Sequence, residues 1–257
     1  MTIKEGDYVL MLAPDDKTFL IQVSEEKKLS THLGMLIISD VIGKNYGDKI
    51  SSQLGKEFYL LEATTWDKMM KIHRQTQIIY PKDASIILLK TGLTAGMTVV
   101  ECGTGSGSQT IALASTVKPG GKVFTYEKRD EFREIAMKNV KSAGLSEFVE
   151  FKSGDARDGF SERDVDVAVI DLPSPWDGVP AAAKSLKGGG RIASLSPTFN
   201  QVEENYKHLG DNGFIYLETV EVLVRNLLVR EGKTRPTQRM ISHTGFLTFG
   251  RKINKDS

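Results

Sequence analysis

Three closely spaced glycines near the middle of the chain provide the first candidate for chemistry. The stretch 97–115, MTVVECGTGSGSQTIALAS, contains Gly103, Gly105 and Gly107 between two apolar runs. Glycine tolerates positive φ and puts no Cβ between a ligand and the backbone. A helix that begins behind such a loop offers free N–H groups and the positive end of its dipole. The pattern predicts a strand, a tight turn and a helix that bind a dinucleotide, a phosphate or a nucleoside cofactor.

Carboxylates follow the next three apolar runs of the chain. These residues are Glu127, Asp155 and Asp171. An acid at the tip of the second strand, as Glu127 is, can accept hydrogen bonds from both hydroxyls of a ribose. Asp155 can accept a hydrogen bond from an adenine amino group. Because open α/β sheets bind ligands at the carboxyl ends of their strands, we expect the glycine turn and these acids to share one site.

The order of these residues distinguishes between cofactor classes. A nicotinamide dinucleotide site is expected to show G-x-G-x-x-G, and position 108 is serine instead of the third glycine. The glycine loop, the ribose acid, the adenine acid and a last acid facing the substrate resemble the class I S-adenosylmethionine-dependent methyltransferases. The resemblance implies S-adenosylmethionine as cofactor and an α/β fold, in which a seven-stranded Rossmann-like sheet carries helices on both faces.

Composition places further bounds on the protein. The single cysteine, Cys102, excludes an intrachain disulfide and a cysteine-cluster metal site, and the four histidines are far apart in sequence. Methyl transfer from a sulfonium needs no metal, so we expect none. No run approaches the roughly 18 apolar residues of a membrane span, and MTIKEGDY lacks the apolar core of a signal peptide. We expect a cytoplasmic protein with no membrane partner.

The amino-terminal part of the chain predicts a separate small β domain, residues 1–64. Short β-forming runs occupy residues 8–12, 18–23, 35–38 and 58–61. The first two flank the turn-prone APDDK and predict a hairpin, and glycines separate the later runs. A small barrel or sandwich fits this pattern, as a binding module, an oligomerisation surface or a lid. Residues 65–257 then form the large domain.

Beyond Asp171 the chain continues the alternation of helix and strand. Helices are predicted at 179–186 and 202–209, and strands at 191–196, 215–224 and 246–251. The connection 226–243 is long, and long loops at the carboxyl end of such sheets are often functional. Residues 220–257 hold eight Lys/Arg against three Asp/Glu, within a chain of net charge +1. This basic end is compatible with a polyanion site or with a solvated charged face.

Four segments narrow the resemblance, and with the pattern STHLG at residues 30–34 near the amino terminus the match spans essentially the full length. They are QIIYPKD, ECGTGSGSQT, DLPSPW and TRPTQRMISHTGFLTFGRK. In combination they resemble the tRNA (adenine-N1)-methyltransferases that modify the T-loop. The resemblance implies methylation of N1 of an adenosine at position 58, with position 57 left open, by a homotetramer. Asp171 would accept a hydrogen bond from N6 of the adenine, and Tyr80 would orient the base.

The same resemblance implies the remaining site residues. Cofactor contacts fall on Gln77, Gly103, Gly105, Ser106, Gly107, Ser108, Gln109, Glu127, Asp155 and Asp171. A T-loop adenosine must be turned out of the folded tRNA before its N1 is reached, and phosphate contacts must offset that cost. The cations of the connection 226–243 are suited to such phosphate contacts. The tRNA contacts are therefore expected at Arg230, Lys233, Arg235, Arg239 and His243.

Two other functions remain open at this point. Another class I methyltransferase, such as a protein isoaspartyl methyltransferase, would leave the basic connection incidental. A non-catalytic tRNA-binding subunit would keep the fold and lose the cofactor site. The intact glycine loop together with Glu127, Asp155 and Asp171 argues against such a loss.

Overall fold

A computed structural model describes residues 1–254, which form two compact units. The first comprises Met1–Ile72 with Ser142–Gly144, and the second the rest of the described chain. The sequence predicted the division at 64/65, whereas helix α1 (Thr65–Met70) stays with the first unit. The physical reason lies in its contacts, because Met69 is buried and the ammonium of Lys71 donates to the Thr18 carbonyl at 2.7 Å.

The first unit is built from short antiparallel strands. They are β1 (Tyr8–Leu12), β2 (Thr18–Gln22), β3 (Lys28–Thr31), β4 (Gly34–Ile37), β5 (Lys49–Ser51) and β6 (Glu57–Glu62). The predicted hairpin is confirmed, since β1 and β2 pair with Tyr8 opposite Gln22. The four-stranded sheet has the order β2-β1-β6-β5, and β3 pairs with β4 separately. The sequence missed β3 and β5, whose segments KLST and KIS are short and largely polar.

The second unit contains the seven-stranded sheet that the sequence predicted. Its strands are β7 (Thr98–Cys102), β8 (Lys122–Glu127), β9 (Val149–Ser153), β10 (Val165–Ile170), β11 (Leu186–Ser196), β12 (Phe214–Glu221) and β15 (Phe246–Lys252), with the two-residue pieces β13 (Leu227–Leu228) and β14 (Arg235–Pro236) outside the sheet. The order is β12-β15-β11-β10-β7-β8-β9. Strand β15 runs antiparallel to both neighbours, whereas β7 to β11 are parallel. The strand order reverses between β7 and β10, which is where such sheets bind ligands.

Helices cover both faces of this sheet. They are α2 (Pro81–Thr91), α3 (Ser108–Val117), α4 (Asp130–Ser142), α5 (Val179–Ser185) and α6 (Phe199–Asp211). Successive side chains of a strand point to opposite faces. On β7, Glu101 meets Thr110 of α3, whereas its neighbour Cys102 belongs to the apolar cluster that contains Val179 and Ala182 of α5. The predicted fold class is therefore confirmed.

Several predicted boundaries move for local reasons. Strand β11 begins at Leu186 instead of 191, because the glycine-rich stretch extends the strand through a register shift against β10. Helix α6 begins at Phe199, since the side chains of Thr198 and Gln201 form a reciprocal cap at its start. Strand β12 ends at Glu221, three residues before the expected end. No helix within residues 1–254 is both long and apolar enough to cross a membrane.

Candidate active site

The two strands at the reversal of strand order end in close contact. The N–H of Asp171 donates to the Cys102 carbonyl at 2.9 Å. Gly103 has φ +88°, and a Cβ placed there would lie 1.8 Å from the Asp171 carbonyl oxygen. Only glycine fits such a position, because it satisfies both the positive φ and the close approach. The glycine turn and Asp171 are thus held together by main-chain geometry.

Two serines of the glycine turn hold the segment 75–80 beside it. The Ser106 hydroxyl accepts the N–H of Thr76 at 3.3 Å, and the Ser108 hydroxyl donates to the Ile79 carbonyl at 3.0 Å. Both hydroxyls lie at buried residues that line neither of the cavities described below. Their side chains therefore position the segment that carries the candidate residues before α2.

Glu127 is buried and held in one orientation by the backbone. The N–H of Gly105 donates to its Oε2 at 3.0 Å, and the N–H of Arg129 donates to its Oε1 at 3.1 Å. The side chain is 5% exposed. A carboxylate oxygen has two acceptor sites, so each oxygen keeps capacity for a ligand hydroxyl.

Asp155 faces the same region from the end of β9. The Arg157 guanidinium donates to both of its oxygens, at 2.7 and 3.1 Å. This hydrogen bonding holds the pKa of the Asp155 carboxyl well below its usual range. The group is therefore ionised at every physiological pH and remains an acceptor.

A first cavity of about 330 Å³ brings the three predicted acids together. Glu127, Asp155 and Asp171 all line it, with Gly103 at the turn and Arg157 at the other end. Two carboxylates at separate strand tips and an exposed glycine backbone provide acceptors for a ribose and for an amino group. The cavity has the chemistry of a nucleoside site.

A second cavity of about 560 Å³ shares a wall with the first. The residues common to both are Gly103, Glu127, Arg129, Asp171, Leu172 and Pro173. Gln77, Tyr80 and His243 line the second cavity only. The structure thus places two predicted substrate-facing residues, Tyr80 and His243, across a shared wall from the nucleoside site.

The Asp171 carboxylate is the unpaired group of that wall. It accepts no hydrogen bond from any residue within 1–254, so it caps neither the following helical turn nor any other element. Burial, together with the like charge of Glu127, raises the pKa of Asp171 to about 6. An acid that is partly buried in a cleft without a hydrogen-bond partner does not stabilise the folded state. Such a residue is therefore a candidate for a functional role.

Glu101 sits behind the glycine turn and is only 1% exposed. The hydroxyls of Thr110 and Thr125 donate to its Oε2 at 2.6 and 2.7 Å. Burial outweighs these hydrogen bonds and raises the pKa of Glu101 to about 7. It lines neither cavity, so its contacts brace the turn between β7, β8 and α3.

A buried ion pair at the start of α2 holds the two ends of the long connection between β12 and β15. The Lys82 ammonium donates to Asp83 at 2.9 Å, to the Val222 carbonyl at 2.7 Å and to the Thr244 hydroxyl at 2.6 Å. That hydroxyl donates in turn to Asp83 at 2.8 Å. The sequence analysis did not predict this network, although the adjacent opposite charges of Lys82 and Asp83 could have indicated a buried ion pair.

His243 lies near the carboxyl end of the same connection and contacts residues on either side of it. Its Nδ1 lies 2.7 Å from a Glu221 carboxylate oxygen, and its Nε2 lies 2.7 Å from the Pro197 carbonyl. Both partners are acceptors, so both ring nitrogens must carry protons to satisfy them. The hydrogen bond to Glu221 accordingly raises the pKa of His243 above its usual value.

The remaining predicted residues lie outside the two cavities. The four cations of the long connection are exposed, and none of them lines a cavity wall: Arg230, Lys233, Arg235 and Arg239. Gly107 precedes α3, and Gln109 is buried in that helix with both amide atoms unpaired among the described residues. Sequence reasoning did not single out Arg129, although a cation two residues after the ribose acid is visible in the sequence. Residues 1–254 contain no cluster of three or more His, Cys, Asp or Glu suited to a metal.

Comparison with known proteins agrees with this geometry. A family model described as the tRNA methyltransferase complex GCD14 subunit matches residues 57–235. A tRNA (adenine(57)-N(1)/adenine(58)-N(1))-methyltransferase of Methanocaldococcus jannaschii is 36% identical, over 95% of this chain and 94% of that protein. A tRNA (adenine(58)-N(1))-methyltransferase catalytic subunit of Dictyostelium discoideum is 34% identical, over 89% of this chain and 75% of that protein.

Two solved structures cover almost the whole chain. A tRNA (m1A58) methyltransferase from Aquifex aeolicus has a TM-score of 0.82 and 35% identity, over 99% of this chain and 100% of that chain. A SAM-dependent O-methyltransferase from Thermotoga maritima has a TM-score of 0.90 and 39% identity, over 100% of this chain and 96% of that chain. The chain therefore belongs to the GCD14 family of tRNA methyltransferases and has the Rossmann-like methyltransferase fold.

Proposed function

We propose that this protein transfers the methyl group of S-adenosylmethionine to N1 of a T-loop adenosine in tRNA. The acceptor is the adenosine at position 58, and the name of the M. jannaschii relative adds position 57 as a second acceptor to be tested. The relatives of M. jannaschii, D. discoideum and A. aeolicus all carry names for this activity. The observation that carries the proposal is the unpaired Asp171 carboxylate on the wall between the two cavities.

The first cavity fits the proposed cofactor. Glu127 would hold the ribose hydroxyls, and Asp155 would accept from the adenine amino group. The backbone of the glycine turn would contact the methionine part, which would extend past the shared wall to Gln77 of the second cavity. Ser106 and Ser108 would act by positioning the segment before α2. S-adenosylmethionine supplies a methyl group that its sulfonium already activates, so the reaction needs no metal.

Asp171 would favour the transition state over the ground state. Adenine N1 has a free lone pair at neutral pH, so no base is needed to expose it. As N1 gains the methyl group, positive charge spreads to N6, and a carboxylate that accepts from N6–H is bound more tightly. A carboxyl that titrates near pH 6 is ionised at neutral pH. Guanine has an oxygen at the position of N6, so it would leave this carboxylate facing an acceptor.

The second cavity would receive the extruded base. Tyr80 lines it and can stack on or orient the adenine, and His243 also lines it. Turning a base out of folded RNA costs a few kcal/mol. The exposed cations of the long connection would offset that cost through phosphate contacts.

Oxygen methylation is the second candidate, because the Thermotoga structure is described as an O-methyltransferase. A hydroxyl acceptor would need a base, and Asp171 is the unpaired carboxylate available for it. The exposed basic connection favours tRNA, since a small oxygen acceptor or an isoaspartyl peptide has no use for those cations.

The pure protein, incubated with methyl-labelled cofactor and unmodified tRNA transcripts, distinguishes these functions. We expect N1-methyladenosine at position 58, mapped by nuclease digestion and mass spectrometry, and a complete loss of label there when that adenosine is replaced by guanosine. Label on a ribose or on protein carboxyls would favour the oxygen acceptor. Titration calorimetry that detects no binding of S-adenosylmethionine would support the non-catalytic subunit.

We further propose a cytoplasmic homotetramer. The connection between β12 and β15 exposes Leu223, Leu227 and Val229, and β12 exposes Tyr216 at 81%. Large apolar side chains left exposed on the edge strand β12 and the connection after it favour contacts with further chains. Several copies would also enlarge the positive surface beyond that of one nearly neutral chain. Light scattering that gives the mass of one chain would contradict the tetramer.

A further inference from the structure

Arg129 is the one Lys or Arg within residues 1–254 that lines both cavities. It lies two residues beyond Glu127, at the start of the segment that leads into α4. The other cations of the first cavity, Lys128 and Arg157, sit within 4 Å of Asp155. Among the cations that line either cavity, Arg129 is therefore the one on the wall that the two cavities share.

Contacts on one edge and one face orient the Arg129 guanidinium. Its Nε lies 3.6 Å from Glu127 Oε1, and its central carbon lies 3.8 Å from the ring centroid of Phe132. The side chain remains 54% exposed. Its terminal nitrogens make no hydrogen bond within residues 1–254, so a planar pair of donors is left for a ligand.

The wall beside Arg129 is otherwise acidic. Glu127 and Asp171 both face it, and their mutual repulsion contributes to the raised pKa of Asp171. A nucleotide whose base enters the second cavity would carry its phosphate past this wall, where two carboxylates would repel it. The exposed cations of the long connection line neither cavity, so they leave that phosphate without a partner.

We propose that Arg129 binds the phosphate of the extruded nucleotide and thereby holds the target base beside Asp171. The inference rests on the proposed tRNA substrate. Arginine suits this position because its fork donates two parallel hydrogen bonds to phosphate oxygens, whereas lysine acts as a point charge. The same fork could instead bind the carboxylate of the cofactor, and the experiment below separates the two ligands.

The test compares Arg129→Gln with Arg129→Lys and with Lys138→Gln, which removes one exposed positive charge from α4 away from both cavities. Filter binding gives tRNA affinity over a series of salt concentrations. Calorimetry gives the affinities of S-adenosylhomocysteine and of methylthioadenosine, which lacks the amino acid part. Melting curves verify that each variant is folded.

For Arg129→Gln we expect tRNA affinity to fall about tenfold or more, as for loss of a charge-assisted hydrogen bond. The salt slope should become shallower by roughly 0.7 to 0.9, the value of one phosphate contact. The affinity of S-adenosylhomocysteine should stay within twofold. Arg129→Lys should recover the salt slope and only part of the affinity, and Lys138→Gln should match the wild type.

Two results would overturn the assignment. If Arg129→Gln weakens S-adenosylhomocysteine but not methylthioadenosine, the guanidinium binds the cofactor carboxylate. If its tRNA affinity and salt slope equal those of Lys138→Gln, Arg129 contacts no phosphate. A wild-type protein that neither binds nor methylates tRNA would refute the proposed function itself. If the wild type methylates tRNA normally, either of the two results above refutes only the role of Arg129.

Discussion

Replacing Asp171 by asparagine should slow methyl transfer and stabilise the fold at the same time. Asparagine keeps the size and one acceptor oxygen of the carboxylate but removes its charge. The carboxylate has no hydrogen-bond donor among the described residues, and its pKa is about 6 instead of 3.8. The folded protein therefore carries at neutral pH a charge that costs it free energy.

The magnitude follows from that pKa. A carboxyl that titrates near pH 6 in the folded state costs about 3 kcal/mol at neutral pH, and its partial exposure reduces this to about 2 kcal/mol. For a unit of this size, about 2 kcal/mol corresponds to a rise in Tm of roughly 4 to 8 °C. Loss of charge stabilisation in the transition state should lower kcat by about ten- to a thousandfold.

The sign of the pH dependence is also determined. The folded protein binds this proton more tightly than the unfolded chain does, so stability falls as pH rises from about 4 to 6. The gain in Tm from Asp171→Asn should be full above pH 7 and absent below pH 4. The kcat/KM of the wild type should rise with pH up to about 6 and then level off.

Asp166→Asn is the matched control, on β10, the strand that Asp171 follows. Burial favours the neutral form of Asp166, but hydrogen bonds from Lys187 and Thr98, together with the Lys187 charge, outweigh burial and lower the pKa of this carboxyl. Its contribution to stability is present at neutral pH and is lost on acidification, so this variant should melt lower at pH 8 with unchanged kcat. Single-turnover rates and melting curves across pH measure both variants. A wild-type kcat, or a lowered Tm at pH 8, for Asp171→Asn would refute the reasoning.

Three further substitutions test other parts of the structure. Arg235→Ala should weaken tRNA binding with a salt slope shallower by roughly 0.7 to 0.9, and an identical slope would exclude a phosphate contact. Gly103→Ala should lower Tm far more than Gly159→Ala, because both glycines have positive φ but only at Gly103 would a Cβ meet backbone atoms; equal losses would contradict that. Lys82→Met should destabilise by about 3 to 5 kcal/mol in urea melts, because it leaves the Asp83 charge buried, and Asp83→Asn in the same chain should restore part of the loss.

The strands, the glycine turn and its three acids could be predicted because their signals are local. Each parallel strand is an apolar run that a polar residue ends, and the carboxyl ends of such strands meet at one edge. These two facts were enough to predict that Glu127, Asp155 and Asp171 share one site. The start of α6 depends on a cap formed by Thr198 and Gln201, which are close in sequence, so this helix start was predicted to within three residues.

Other features depend on contacts between distant residues, which the local sequence does not specify. Strands β3 and β5 are short and polar, and their pairing partners alone make them strands. The buried network of Lys82 joins residues 140 and 162 positions apart. Ser106 lies in the glycine turn and Ser108 begins α3, but their hydroxyls hold the neighbouring segment.

The sequence by itself determined the class of fold, the kind of cofactor site and the family, because these depend on residue types in a fixed order along the chain. Only the tertiary structure decided which of those residues share a cavity wall. It left the Asp171 carboxylate unpaired and half-buried, and it placed Arg129 on the wall that the two cavities share. Burial, the distance to a neighbouring charge and the lack of a hydrogen-bond donor arise only when distant segments pack together, and these three quantities set the pKa on which the proposed chemistry depends.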